Sequence, residues 1–171
     1  MAYSASSDII TNLDATPRVV ERTKESGGRV YTAVGEFTST VFDALTAGQT
    51  AAIARIPADA RLLGVFATGE ATGDTGSFDL GLYRATDNDS TNTVIDLDGL
   101  AAAADENVAR QRTPLGTAAL ANSPWLPGNK NKTIREVFTV PAGDNYVDVV
   151  ATIKTVMGTA KAIAFEVDYT I

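Results

Sequence analysis

Cysteine and histidine are both absent from this chain of 171 residues. Without cysteine there is no disulfide, no thiolate nucleophile and no cysteine-ligated metal. Without histidine the commonest general base and the commonest transition-metal ligand are missing. Catalysis would have to rest on carboxylates or lysine. Asp and Glu are plentiful, yet no spacing isolates an acid–base pair, so no catalytic residue, cofactor or metal ligand is assigned. Long apolar runs are lacking too: none approaches the roughly 20 residues that cross a bilayer. Basic charge is in deficit, 14 Lys and Arg against 21 Asp and Glu, giving a net charge of −7. Such a chain is repelled by nucleic acid and stays dispersed unless a specific interface joins copies. The opening "MAYSASSDIITNLD" has neither a basic n-region nor an apolar h-region. A chain soluble as made, with no membrane partner, is expected.

What is present is an ordinary globular balance, 44% hydrophobic and 20% charged, in a length that fits one domain or one domain plus an arm. Residues 1–28 read as the arm. They show no sustained period and end on Gly27-Gly28, a flexible joint. Short apolar groups, Ile9-Ile10, Leu13 and Val19-Val20, flank Pro17. Exposed apolar pairs gain from burial, which a purely solvated tail does not need. Two readings stand side by side: a frayed end that adds one edge strand, and an extended tether lying on a neighbouring subunit.

From residue 29 onward the signal is mainly β, and the domain assigned is 29–171. "RVYTAVGEFTSTVF" is rich in β-branched and aromatic residues and reads as one strand, or two broken near Gly35. In "SFDLGLYRA", Phe78, Leu80 and Leu82 face one way and Asp79, Gly81 and Tyr83 the other. "YVDVVATIK" puts Val147, Val149, Ala151 and Ile153 on one face. "AIAFEVDYTI" turns Ile163, Phe165, Val167, Tyr169 and Ile171 inward. "VMGTAK" between them reads as a hairpin turn through Gly158. "LLGVF", Leu62 to Phe66, is continuously apolar and predicts a central strand covered on both faces. One helix is expected in "DGLAAAADENVARQRT", with Asp98 as N-cap and Leu100, Ala104 and Val108 on one face. It opens a helix–loop insertion at about 97–132.

One device occurs twice. "IARIPADARLLGVF" and "VFTVPAGDNYVDVV" align on Pro57 and Pro141. The residue before proline is driven extended, and proline interrupts the ladder. Each stretch reads as a strand, a corner and a second strand free to join another sheet. The fold class expected is an antiparallel β-sandwich or jelly-roll-like barrel with an extended N-terminal arm and one short helix.

The candidate sites are surfaces. Arg18, Arg22, Lys24 and Arg29 gather near the arm, and Lys130, Lys132 and Arg135 follow the tryptophan loop. Against an acidic body they mark places where an acidic partner docks, or ordinary solvated charge. Trp125, between Pro124 and Pro127, is either a core filler or an interface anchor. The loop "DNDSTNTVIDLDG" from Asp87 is rich in oxygen ligands. An EF-hand needs Gly sixth and Glu twelfth, and Asn92 and Asp98 stand there instead, so a solvated loop is favoured. "GEATGDTG" is followed by no Gly-Lys-Ser/Thr and is not a P-loop.

The arm with "TNLDATP", then "ARIPADARLLGV", "FDLGLY" and a terminal "AFEVDYTI", resembles the small decoration (cement) proteins of tailed-bacteriophage capsids. The resemblance implies a β-rich, often trimeric protein. It implies a non-enzymatic role on the outer surface of the virion, at threefold and quasi-threefold positions, after synthesis in the host cytoplasm. Its partners would be the major capsid protein and further copies of itself. The interface residues on this reading are the arm's Ile9, Ile10, Leu13, Pro17, Arg18, Val19, Val20, Arg22, Lys24 and Arg29, with Trp125, Lys130 and Lys132. A jelly-roll module binding glycan or a host surface through Trp125, Tyr83 and the Asp87–Asp98 loop is the alternative.

Overall fold

The computed structural model describes residues 5–6, 30–42, 44–69, 76–85, 93–105, 113–115, 124, 126, 128–129, 131–156 and 162–171. Its strands are β1 (Ala5–Ser6), β2 (Val30–Phe37), β3 (Thr50–Pro57), β4 (Arg61–Gly69), β5 (Ser77–Arg84), β6 (Val94–Asp105), β7 (Thr113–Pro114), β8 (Tyr146–Thr155) and β9 (Ile163–Thr170). Two one-turn helices, α1 (Ser39–Phe42) and α2 (Ile134–Phe138), complete the described elements. The strands form two sheets, ordered β1-β3-β8-β5-β6 and β2-β9-β4-β7. All pairings are antiparallel except the short parallel contact of β1 with β3, where Ala5 faces Ala51 and Ser6 faces Ala52. The architecture is a β-sandwich.

The core follows from period-2 alternation. Ile53, Ile56, Phe78, Leu80, Leu82, Val147 and Val149 of the first sheet meet Phe37, Val65, Ala67, Phe165 and Val167 of the second in one cluster. Phe165 sits among three rings, with centroids 6.1 Å from Phe37, 5.7 Å from Phe42 and 5.7 Å from Phe78. At Gly35, a Cβ would lie only 2.4 Å from the carbonyl oxygen of Ile53. Glycine there lets β2 close onto β3 without breaking the strand, so residues 30–37 form one strand and not two.

Several expectations are corrected. No helix begins at Asp98, because residues 94–105 are β6. The alanine run has helix propensity, but pairing with β5 overrides it. The pairing is irregular: Leu80 faces Ala101 and Leu82 faces Asp96. Gly81 makes room for this, since a Cβ there would lie 2.2 Å from the Asp96 carbonyl oxygen. Ala103 takes a left-handed φ of 48°, and its N–H donates to buried Asp79 at 2.7 Å. "LLGVF" is not covered on both faces. Its register slips between Leu62 and Gly64, and this bulge leaves Leu63 43% exposed. The strands buried on both faces are β3, β5 and β8. Consequently the alternation in "SFDLGLYRA" holds, but Asp79 and Tyr83 on its other face are buried rather than solvated. Strands β8 and β9 form no hairpin, because they lie in different sheets. Ile171 is exposed, not inward.

Candidate functional site

The two proline stretches that stand out in the sequence come together in space. Pro57 ends β3, and Ala58-Asp59-Ala60 carries the chain from the first sheet into β4 of the second. The second stretch differs from the sequence reading: what precedes Pro141 is α2, not a strand. Thr139, at φ 55°, ends that helix in the left-handed region. The turn Pro141–Asp144 then leads into β8. The corners are hydrogen-bonded to each other: Ala58 N–H donates to the Asn145 carbonyl at 2.9 Å, and Pro57 pairs with Tyr146.

A helix start leaves its first N–H groups without intrahelical partners. Here the first corner takes two of them. Ile134 N–H donates to Ala60 O and Arg135 N–H to Ala58 O, each at 2.9 Å. Thr133 and Glu136 close a capping box over the same turn. The local sequence therefore needs a Thr-x-x-Glu signal and a neighbouring turn together to make so short a helix.

Arg135 is the hub. Its Nε donates to Asp59 at 2.6 Å. Nη1 donates to the Pro141 carbonyl at 2.7 Å, and Nη2 to the Asp144 carbonyl at 2.9 Å. The side chain of Asp144 in turn accepts from Arg84 of β5, at 2.8 Å for the Nη2 bond. Three stretches distant in sequence, at Asp59, at Arg84 and from Arg135 to Asp144, are tied by two guanidinium–carboxylate pairs. The sequence shows Arg135 as a charge available to an acidic partner, whereas its donors are directed into the fold. Arginine stays protonated and only donates, so the arrangement is a mechanical clasp.

The hydrogen bond from Arg135 holds the Asp59 carboxyl below its ordinary range, against a smaller opposing effect of desolvation. Arg84 does the same for Asp144. Both groups bind protons more weakly folded than unfolded. Their stabilisation is therefore complete above the unfolded carboxylate pKa of about 4 and is lost as pH falls through the lower folded values. Melting temperature measured from pH 6 down to pH 2 is expected to fall on this acid limb. Arg135→Met is expected to lower the plateau and flatten the limb, and a limb of unchanged slope would contradict the clasp.

Of the residues singled out as interface candidates, Lys132 is described. It is exposed, and its Nζ donates to Asn129 Oδ1 at 3.1 Å. Ile9, Ile10, Leu13, Pro17, Arg18, Val19, Val20, Arg22, Lys24, Arg29, Trp125 and Lys130 lie outside the described residues, as do residues 87–92 of the acidic loop. Pro124, beside Trp125, is buried, and Leu126 partly so. Sequence reasoning missed the buried pair Arg55–Asp148, with Nε–Oδ1 at 2.7 Å and side chains 5% and 0% exposed. Its signal was a charge inside an otherwise apolar strand, in "AIARIP" and again in "YVDVVA". Among the described residues no group of three or more Asp or Glu is placed to hold a metal ion. None of their helices is long and apolar enough to cross a membrane.

No family model and no curated protein matches this chain. Solved structures do. A chain of the cyanophage Pam1 capsid asymmetric unit aligns at a TM-score of 0.49, with 17% identity over 90% of this chain and 93% of that one. A chain of the capsid of Ralstonia phage GP4 aligns at a TM-score of 0.61, with 18% identity over 96% of each chain. The two-sheet sandwich described above is thus, along nearly its whole length, a fold found in a phage capsid.

Proposed function

We propose that this chain is a non-enzymatic structural protein of a phage virion. It binds the outer surface of the capsid as a homotrimer and stabilises the shell by bridging capsomers of the major capsid protein. The observation that carries the reading is the fold shared with a chain of the Ralstonia phage GP4 capsid over 96% of both chains. Within the chain, Ala5-Ser6 pairs with the edge of β3. That pairing is the kind of backbone contact by which an extended segment adds itself to a sheet. A trimer multiplies weak contacts through effective concentration, so no single contact needs to be strong. The arm candidates Ile9 to Arg29, with Trp125, Lys130 and Lys132, are the contact residues of this reading.

Co-sedimentation with empty shells tests it. The full chain is expected to pellet saturably. A chain lacking residues 1–28 is expected to keep its β-sheet circular dichroism and bind at least tenfold more weakly. Equal decoration by both forms would remove the arm from the mechanism. No pelleting of the folded full chain would remove the decoration role.

A further inference from the structure

Strand β3 carries its apolar residues out of step. In a regular strand Ala51 and Ile53 share one face, and Ile56 belongs to the other. All three nevertheless lie in the core cluster, together with Ala54. A bulge reconciles them. Ala52 faces Val150 and Ala54 faces Val149, so Ile53 is an extra residue in the ladder with β8. One extra residue reverses the parity of everything after it. Beyond it Ile56 turns inward opposite Val147, and Arg55 turns outward opposite Asp148. The second sheet meets the first at the same residue, since a Cβ on Gly35 would collide with the Ile53 carbonyl oxygen.

The competing arrangement is the regular ladder. Without the bulge, Ile53 would face Val149, Ala54 would face Asp148, Arg55 would face Val147 and Ile56 would face Tyr146. Ile53 would still point into the core, and no residue would be left out of the ladder. Residues 55 and 56 would exchange faces, which an apolar side chain at 55 would tolerate. Arginine does not tolerate it. Its guanidinium would enter the core, and Asp148 would lose the partner that now holds both its oxygens, at 2.7 and 3.0 Å. A buried charge without its counter-charge outweighs the other changes in the exchange.

What the bulge positions is the corner. The chain leaves β3 at Pro57. Ala58 and Ala60 then present the carbonyls that accept from Arg135 and Ile134 N–H, each at 2.9 Å. Asp59 accepts from Arg135 Nε at 2.6 Å. A slip of one residue shifts a strand by about 3.3 Å and turns its side chains over. Hydrogen bonds of this length do not survive such a shift.

We propose that the Arg55–Asp148 pair is a register key. It fixes the one-residue bulge at Ile53, and through it the place of the corner that receives α2 and Arg135. A buried ion pair adds little net stability, and setting register is the best-attested reason for keeping one. Arg55 and Asp148 are positioning residues for the clasp, which neither of them needs to touch.

NMR of the isotope-labelled full chain tests this. The natural protein is expected to give one set of signals, with cross-strand contacts from Ala54 to Val149 and from Arg55 to Asp148. Arg55→Met with Asp148→Leu is expected to stay folded and to show a second set, with contacts from Ile53 to Val149 and from residue 55 to Val147. In that variant the Ile134 and Arg135 amides are expected to exchange with solvent at least about tenfold faster, the scale of a lost hydrogen bond. The Phe165 and Val167 amides of β9 are expected to exchange no faster. Arg55→Lys keeps an ion pair and is expected to keep the single natural set, even where it lowers stability. Should the double variant lose its β-sheet circular dichroism, Arg55→Leu with Asp148→Val is measured in its place. Natural contacts alone in the double variant, or a second set in Arg55→Lys as well, would overturn the register key. Loss of the fold in both apolar variants would also overturn it, because the pair would then be required for stability.

Discussion

Asp148→Ala is expected to destabilise the domain by about 3–5 kcal/mol, because it leaves Arg55 charged and uncompensated inside the sheet. The two residues face each other directly across β3 and β8. Arg55 holds both carboxylate oxygens, Oδ1 at 2.7 Å and Oδ2 at 3.0 Å, and the side chains are 5% and 0% exposed. A charge taken from water needs its partner, so the loss is set by what remains and not by the bond alone. Against a total stability of roughly 5–15 kcal/mol for a domain, such a loss is large. The sign reverses for the pair removed together. Arg55→Met with Asp148→Leu is expected to be neutral or stabilising, since apolar replacements avoid desolvating two ions. Urea unfolding of the two variants separates these cases. A double variant as unstable as the single one would show that the charges, and not their pairing, are required.

Phe165→Ala is expected to lose a similar amount, about 3–5 kcal/mol. Phe165 is fully buried and touches rings from both sheets and from α1. Edge-to-face contacts with Phe37 and Phe78, at 81° and 82°, add to its burial. The surrounding rings belong to three separate elements and cannot all collapse into the space left. Phe165→Leu keeps most of the volume and is expected to cost about 1–2 kcal/mol. Thermal or urea unfolding measures both. Equal losses for Ala and Leu would mean that ring geometry, and not filled volume, governs this part of the core.

Period-2 patterns made the inward faces of β8 and β9 legible, because alternation is a local property of the chain. The corner at Pro57 was legible for the same reason: proline acts on its own neighbours. What escaped was decided by contacts distant in sequence. Asp79 and Asp148 look solvated from the sequence, and Arg55, 93 residues from Asp148, supplies the partner that makes burial possible. The alanines of 101–104 favour a helix in isolation, but the irregular ladder with β5, the gap above Gly81 and the Asp79 acceptor for the left-handed Ala103 keep them in β6. A turn between two apolar strands suits a hairpin, yet β8 and β9 belong to opposite sheets, which no local signal states. Arg135 was visible as a basic residue. Its inward direction depends on two turns that only the folded chain brings together.

The claim that this chain reinforces a phage shell is tested most directly by heating empty capsids with and without it and recording the temperature at which the shells come apart. Saturating amounts of the full chain are expected to raise that temperature. Shells that come apart at the same temperature whether or not the chain is bound would contradict the account.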